Sequence, residues 1–320
     1  MSKKVFDFNE LEKMSAEEVI DKIQHKNYSL LKTLGAEGLR REMIPVGKIC
    51  NAAVNYVLGS TLAGESKEEH SRRARAKLVK RLQTLTPGAY DGFPQDSENG
   101  LVVGFNHPSL GEIARILMMK MDVMGEKPML FPVNLPWYEA PATDYDRIRQ
   151  LGIIITPTIT PATWAKMNLR KGTPEFEAGS RLKREFRDLY TKLSHDVLKD
   201  GGVIFVAPSA TRQKTVFLSR DVYDKKEPII PTMSVLVCEL FRDPKIKCDF
   251  LPMAILPPEN YKKGLNFFKM YQLIPGKIFT ADDIRKKYYK EGADRLPDFD
   301  WDFHKHIADE LPKNMWYNHK

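Results

Sequence analysis

An apolar run that ends in a polar junction constrains the fold of this chain more than any other feature. Residues 101–105 have the length and composition of a short buried strand, and Asn106 and His107 follow directly. Pro108 suits the first turn of a helix, because the N–H group that proline lacks is not needed there. The apolar stretch 113–121 continues that helix. The sequence therefore predicts His107 at a junction between a strand and a helix.

His107 and Glu112 form a candidate pair for acid–base chemistry. Glu112 lies about one helical turn beyond the junction, and helical side chains lean back toward the N-terminus, so its carboxylate can reach the imidazole. A carboxylate bound to one ring nitrogen fixes the tautomer and leaves the other nitrogen to take a proton from a hydroxyl. The alternative is an ordinary surface contact, or a carboxylate favoured by the helix dipole.

A second polar segment follows another apolar strand, predicted at residues 203–206. The segment 207–214 reads Ala-Pro-Ser-Ala-Thr-Arg-Gln-Lys, so small residues leave backbone N–H groups exposed beside two cations, Arg212 and Lys214. The guanidinium fork of an arginine can bind two phosphate oxygens at once. The segment therefore predicts a phosphate site, with a polar loop of solvated cations as the alternative.

Strands and helices alternate along most of the chain. Further strands are predicted at 129–133, 152–156 and 250–256, and helices at 145–151 and 180–198. Helical patterns fill the first 90 residues, and the Pro-, Gly- and Asp-rich stretch 86–100 reads as a linker. We therefore expect an α/β domain over 98–320, a mixed sheet flanked by helices, preceded by a smaller helical domain over 1–90. Ligands of such domains collect at the carboxyl ends of the strands.

Charge and composition restrict the partners and the compartment. The net charge of +8 favours anionic partners without choosing among them. The sequence has no apolar run of about 18 residues that would span a membrane, and residues 1–8 do not resemble a secretory signal. The three cysteines form no CxxC pair, which predicts free thiols in a reducing compartment. We expect a cytoplasmic protein, with peripheral contact with a membrane left open, and no metal, because no ligand cluster has metal spacing.

The basic stretch 67–85 is the main candidate docking surface. Leucines form one face of the predicted helix and arginines and lysines crowd the rest. Such a charge run is usually a solvated face, and the functional alternative is a surface for an acidic carrier protein or anionic lipid. Nucleic-acid binding is disfavoured, because the stretch lacks interleaved aromatic residues and any nucleic-acid-binding signature.

The ordered motifs resemble the glycerolipid acyltransferases, the glycerol-3-phosphate and lysophosphatidate acyltransferases. Asn106, His107 and Glu112 match their first motif, N-H-x4-D, with Glu in place of Asp. The segment 207–214 is similar to the A-P-S-G-G-R-D-R loop of the soluble plastid-type enzymes, and the strand containing Pro252 matches the fourth motif. The strand at 152–155 fits the second motif, but Thr156 and Pro157 stand where the family has Asp-Arg.

The resemblance implies an O-acyltransferase that moves a fatty acyl group from a thioester to a hydroxyl of glycerol 3-phosphate or a related phosphorylated or lysolipid precursor. The co-substrate would be an acyl carrier protein or CoA thioester, with no further cofactor. His107 and Glu112 would be catalytic, and the substrate would be bound by Asn106, Ser209, Thr211, Arg212 and Lys214. The second-motif arginine is missing, and nearby Lys166, Arg170 and Lys171 are candidates to replace it. A non-catalytic module that binds acyl carrier protein or lysolipid is the alternative.

Overall fold

The computed structural model describes residues 3–43, 59, 62–66, 68–70, 72–74, 76–77, 80, 93–94, 99–107, 115–116, 119–120, 123–140, 145–208, 216–217, 232–257, 271–289 and 297–317. Its helices are α1 (Phe8–Leu11), α2 (Ala16–His25), α3 (Leu30–Thr33), α4 (Glu37–Glu42), α5 (Leu135–Tyr138), α6 (Tyr145–Gln150), α7 (Pro161–Met167), α8 (Pro174–Lys199), α9 (Thr232–Phe241), α10 (Ala281–Lys287) and α11 (Pro297–Asp309). Its strands are β1 (Gly100–Phe105), β2 (Met129–Asn134), β3 (Ile153–Thr158), β4 (Val203–Val206), β5 (Val216–Phe217), β6 (Cys248–Leu256), β7 (Gln272–Pro275) and β8 (Trp316–Tyr317).

Six strands form one mixed sheet in the order β3-β2-β4-β1-β6-β7. β1 pairs in parallel with β4 on one side and with β6 on the other, and β7 is antiparallel to β6. Every residue of β1 is buried, as expected for a strand inside a parallel sheet whose two faces are covered. The α/β class and the mixed sheet flanked by helices are therefore confirmed. That the fold is the acyltransferase fold stays a prediction.

The predicted elements match the observed ones closely where the sequence is periodic. The strand at 203–206 has the predicted bounds, and the helix predicted at 180–198 extends over 174–199. The described positions inside the predicted helix 113–121, residues 115, 116, 119 and 120, are helical. The described positions of the basic stretch between 68 and 80 are helical as well.

The chain divides into two compact units. The first comprises residues 1–71 and 131–193, and the second comprises residues 72–130 and 194–320. This division differs from the sequence-based one, because residues 131–193 join the N-terminal segment. The predicted boundary between 90 and 98 stays a prediction, since most of residues 81–98 lie outside the described part of the chain.

The first unit has its own apolar core, built from both of its chain segments. A capping box starts α2: the side chain of Ser15 accepts from the Glu18 N–H, and the Glu18 carboxylate accepts from the Ser15 N–H. Val19 and Ile23 of α2 then belong to the same buried cluster as Phe186 of α8. An amphipathic helix from each segment thus supplies apolar surface to one core.

A buried carboxylate also joins the two segments of the first unit. Glu139 follows α5 and is fully buried, and it accepts hydrogen bonds from the N–H groups of Leu30 and Leu31, at 2.7 and 3.0 Å, and from the Ser29 hydroxyl. Burial raises the pKa of Glu139, although these hydrogen bonds and the nearby charge of Lys3 oppose the rise. The residue thereby ties α3 to the segment that contains α5.

The second unit is organised around aromatic residues beneath β1 and β6. Phe250 of β6 packs edge-on against Phe299 of α11, with ring centroids 5.5 Å apart, and Phe279 lies 5.4 Å from the same ring. Cys238 and Cys248 are buried free thiols, in agreement with the prediction for these two; Cys50 lies outside the described residues.

Candidate functional site

The candidate site lies at the carboxyl end of β1, in the second unit. Because β1 runs in register and in parallel with β4 and β6, the ends of all three strands reach the same edge of the sheet. Asn106 and His107 directly follow β1, and Ala207 and Pro208 directly follow β4. This edge is where ligands of α/β sheets collect.

Asn106 holds the end of β1 against β6. Its side-chain amide donates to the carbonyl oxygen of Ile255 at 2.9 Å, and its amide oxygen accepts from the Ile255 N–H at 2.6 Å. The residue is 6% exposed. Both bonds go to the backbone of one residue of β6, so Asn106 fixes the backbone that carries His107. Its predicted contact with substrate stays a prediction.

His107 is partly exposed, next to a buried aromatic residue. The edge of its ring meets Phe105 at a centroid distance of 6.3 Å and an interplanar angle of 78°. Phe105 itself is 1% exposed, which anchors this side of the imidazole. A histidine held in this way keeps an accessible surface, as a general base needs if it is to meet a substrate hydroxyl.

The backbone before His107 rests closely on α9 and α11. A Cβ atom at Gly104 would lie 2.7 Å from Cζ of Phe303 and 3.3 Å from Cε of Met233, so only glycine fits there without movement. Glycine at this position lets β1 approach both helices, which support the sheet just before the candidate site.

A buried carboxylate of α11 binds the start of α9 and adds to this support. Asp300 of α11 accepts from the N–H groups of Met233 and Ser234, each at 3.1 Å, and from the Ser234 hydroxyl. Burial raises the pKa of Asp300 to about 6, against the lowering effect of these hydrogen bonds. One turn further along α11, burial lowers the pKa of His304 to about 4. Sequence analysis missed both residues, because only tertiary contacts bury them.

The structure locates some of the predicted site residues and leaves the others outside its described part. Asn106 and His107 are adjacent at the end of β1. The remaining predicted site residues lie outside the described residues: Glu112, Ser209, Thr211, Arg212 and Lys214. The candidates to replace the second-motif arginine are all exposed and belong to the first unit: Lys166, Arg170 and Lys171.

A separate cavity of about 550 Å³ lies in the first unit, and sequence analysis did not predict it. Its walls come from the end of β3, from α7 and from one face of α8, and they include Trp164, Phe176, Lys183, Arg184 and Arg187. The available signal was the recurrence of cations at positions 183, 184 and 187, opposite the apolar face of a predicted helix.

Within the described part of the chain, no three His, Cys, Asp or Glu side chains are grouped as metal ligands. The same part contains no helix that is both long enough and apolar enough to cross a membrane. Comparison of the chain with models of protein families, with curated proteins and with solved structures finds no match.

Proposed function

We propose that this protein is an O-acyltransferase that moves a fatty acyl group from a thioester to a hydroxyl of glycerol 3-phosphate or a related lipid precursor. The observation that carries the proposal is the position of His107: partly exposed, at the carboxyl end of a buried parallel strand, on backbone fixed by Asn106. The motif resemblance supports the same chemistry. In this proposal the protein works in the cytoplasm, and peripheral contact with a membrane stays open.

The proposed reaction is a general-base-catalysed attack on a thioester. His107 takes the proton of the acceptor hydroxyl while the hydroxyl oxygen attacks the thioester carbonyl carbon. The tetrahedral oxyanion collapses, the C–S bond breaks, and the leaving thiolate takes the proton from His107. In the proposal, Glu112 orients the imidazole, and backbone N–H groups near Pro208 to Ala210 or at the start of the helix predicted after His107 stabilise the oxyanion.

Cations in the segment 207–214 would hold the acceptor. Arg212 and Lys214 would bind its phosphate, with Ser209 and Thr211 supplying hydroxyl contacts. The donor would be an acyl carrier protein or CoA thioester, and no other cofactor takes part. The net charge of +8 favours each of these anionic partners, and nucleic acid is not among the proposed ones.

The test is release of free thiol from a defined thioester. Acyl-CoA and acyl carrier protein would be offered in turn with glycerol 3-phosphate and with lysophosphatidate. Acceptor-dependent release that is lost in His107→Ala and kept in His25→Ala, an exposed histidine on α2, supports the proposal. Release with neither acceptor, together with retained binding of acyl carrier protein or lysolipid, would instead identify a non-catalytic binding module.

The phosphate role has its own readout in the same assay. Arg212→Ala should raise the acceptor KM, because a charge-assisted bidentate contact with the phosphate is lost. Unchanged acceptor kinetics in that variant would remove Arg212 from the proposal while leaving the role of His107 standing.

A further inference from the structure

The cavity of the first unit has the position and size of a ligand site. It lies where β3 ends, and Thr158 and Ile159 at that end form part of its wall. Its volume of about 550 Å³ falls inside the range of roughly 300–1,000 Å³ that is usual for small-molecule sites. The described residues of its lining belong to the first unit, whereas His107 belongs to the second.

The cavity carries an excess of positive charge. Lys183, Arg184 and Arg187 line it, and no carboxylate is among the described residues of its lining. In the described part of the chain, Lys183 and Arg184 have no ion-pair partner, whereas Arg187 contacts the neighbouring Asp188 at 3.1 Å and stays largely exposed. Two cations without ion-pair partners among the described residues, beside a third that is paired only with its exposed neighbour, favour an anion in a concave site, and arginine forks favour phosphate in particular.

One face of α8 carries these cations toward the cavity because the opposite face of the helix is buried in the core. Lys183, Arg184 and Arg187 follow Ser180 at helical steps of three and four, so they share one side of α8. Leu182 and Phe186 on the other side are fully buried in the apolar cluster of the first unit. The core therefore fixes the rotation of α8, and the cations cannot turn away from the cavity without losing that packing.

The cavity also has an aromatic wall and hydroxyl groups. Trp164 and Phe176 meet edge to face, with ring centroids 5.6 Å apart, and Nζ of Lys183 lies 5.1 Å from the centre of the indole ring. The hydroxyls of Thr158 and Ser180 line the same space. Aromatic side chains can stack on a planar ring of a ligand, and hydroxyl groups can make polar contacts with the edge of that ring.

We propose that this cavity binds a nucleotide, with its phosphate on Arg184 and Arg187 and its base against Trp164. A nucleotide uses the cations, the aromatic wall and the hydroxyls together, whereas inorganic phosphate would leave the aromatic wall unused and a nucleoside would leave the cations unused. The binding needs neither a thioester nor His107, so its failure and the failure of the proposed acyl transfer are distinguishable.

The test is titration of the 320-residue chain with adenosine 5′-monophosphate and adenosine 3′,5′-bisphosphate, beside adenosine and inorganic phosphate. We expect saturable binding of the nucleotides that the double substitution Arg184→Ala and Arg187→Ala weakens by at least about tenfold, because two charge-assisted contacts are lost. Trp164→Leu should weaken nucleotide binding and leave phosphate binding unchanged. Both arginines are exposed, so the double variant should fold normally.

The matched control removes two other exposed cations from the same helix. Lys192→Ala together with Lys199→Ala lowers the net charge equally, but neither lysine lines the cavity. Retained binding in this control supports a local site. No saturable nucleotide binding, or equal weakening in the control and the arginine variant, would overturn the proposal. Phosphate that binds as tightly as the nucleotides, without an effect of Trp164→Leu, would overturn the nucleotide assignment.

Discussion

The side chain of Asn106 has a geometry that only an amide can satisfy. It donates to the carbonyl oxygen of Ile255 and accepts from the N–H group of the same residue, in a buried position. Asn106→Asp keeps the shape and the acceptor but loses the donor, and it faces the Ile255 carbonyl with negative charge. We expect this change to lower the free energy of unfolding by about 1–3 kcal/mol, measured by urea denaturation at neutral pH.

The control for this substitution is Asn9→Asp, which adds the same charge at an exposed position in the first turn of α1. It should leave the free energy of unfolding nearly unchanged, or raise it slightly, because an acid near a helix N-terminus is favoured. Equal losses in both variants would contradict the structural role of the Asn106 amide.

Asp300 predicts a pH dependence of stability. Its pKa is raised from 3.8 to about 6 in the folded protein, because burial disfavours the carboxylate. Between these two values the unfolded chain has released the proton and the folded protein still holds it, so stability falls as pH rises. The free energy of unfolding therefore falls by about 3 kcal/mol across this pH range. Asp300→Asn cannot ionise, so its stability relative to the wild type should improve by about that amount from pH 4 to pH 7.

His304 has the opposite effect on the free energy of unfolding in the same pH range. Its pKa is lowered from 6.5 to about 4, so the stability that depends on its neutral form is complete above pH 6.5 and is lost as pH falls toward 4. In wild type the pH effects of the two residues on stability offset each other, whereas Asp300→Asn keeps only the loss of stability at low pH that is due to His304. Urea denaturation of both proteins between pH 4 and 7 measures the two pH profiles of stability. Parallel pH profiles for the two proteins would refute the raised pKa of Asp300.

At the residue scale, the sequence could predict what depends on neighbours in the chain. The position of His107 follows from a local pattern, an apolar strand followed by Asn-His-Pro. The partner of Asn106 lies 149 residues away and depends on the register between β1 and β6, which no local pattern encodes. The burial of Asp300 and His304 has the same long-range origin.

At the scale of elements, the close contact between β1 and α11 depends on the absence of a side chain at Gly104. Gly104→Ala would place a methyl group against the ring of Phe303, which is fully buried among other aromatic residues and cannot turn aside freely. We expect a loss of about 1–3 kcal/mol in the free energy of unfolding, from overpacking. Because His107 lies three residues further on, the variant should also lose activity in the thioester assay.

A second substitution distinguishes overpacking from a general weakness of β1. Phe303→Leu removes the ring atoms that an added methyl group would meet, so the double variant Gly104→Ala, Phe303→Leu should be more stable than the sum of the two single effects predicts. Thermal or urea unfolding of the wild type, the two single variants and the double variant completes this double-mutant cycle. Simple additivity would show that the methyl group and the ring do not conflict.

Amphipathic and strongly apolar elements could be predicted, and others could not. The period of α8 and the apolar run of β4 are visible in the sequence and match the structure. Helix α9 is apolar on nearly every side and therefore has no helical period to detect. Strand β7 has four residues and depends on antiparallel pairing with β6, so composition alone does not reveal it.

At the scale of the whole molecule, Glu139 ties together the two chain segments of the first unit. Glu139→Ala would leave the N–H groups of Leu30 and Leu31 and the Ser29 hydroxyl without their acceptor. Buried donors without partners are costly, so we expect a loss of about 2–4 kcal/mol in the free energy of unfolding. Limited proteolysis should also release N-terminal fragments faster.

The control is Glu177→Ala, an exposed glutamate on α8 in the same unit. It should lower the unfolding free energy by at most about 0.3–1 kcal/mol, the effect of one acid in the first turn of a helix, and leave the cleavage rate unchanged. If Glu139→Ala behaved in the same way, the carboxylate would not hold the two segments together.

The pattern of the whole chain could predict an α/β protein, and its predicted boundary between 90 and 98 stays a prediction. A linker-like stretch at 86–100 suggested a single boundary in the sequence. The first unit instead combines residues 1–71 with residues 131–193. Such a discontinuous unit forms through long-range packing, here between α2 and α8 and around Glu139, and no linear reading of composition reports it.

The central claim is that His107 is the general base of an acyl transfer. The most direct test compares the rate of acceptor-dependent thiol release in wild type, His107→Ala and the control His25→Ala, with urea denaturation to verify folding. General-base catalysis contributes about 10²–10⁴-fold, so His107→Ala should lose about that factor at unchanged stability, while His25→Ala keeps the wild-type rate. An undiminished rate in folded His107→Ala would contradict the claim.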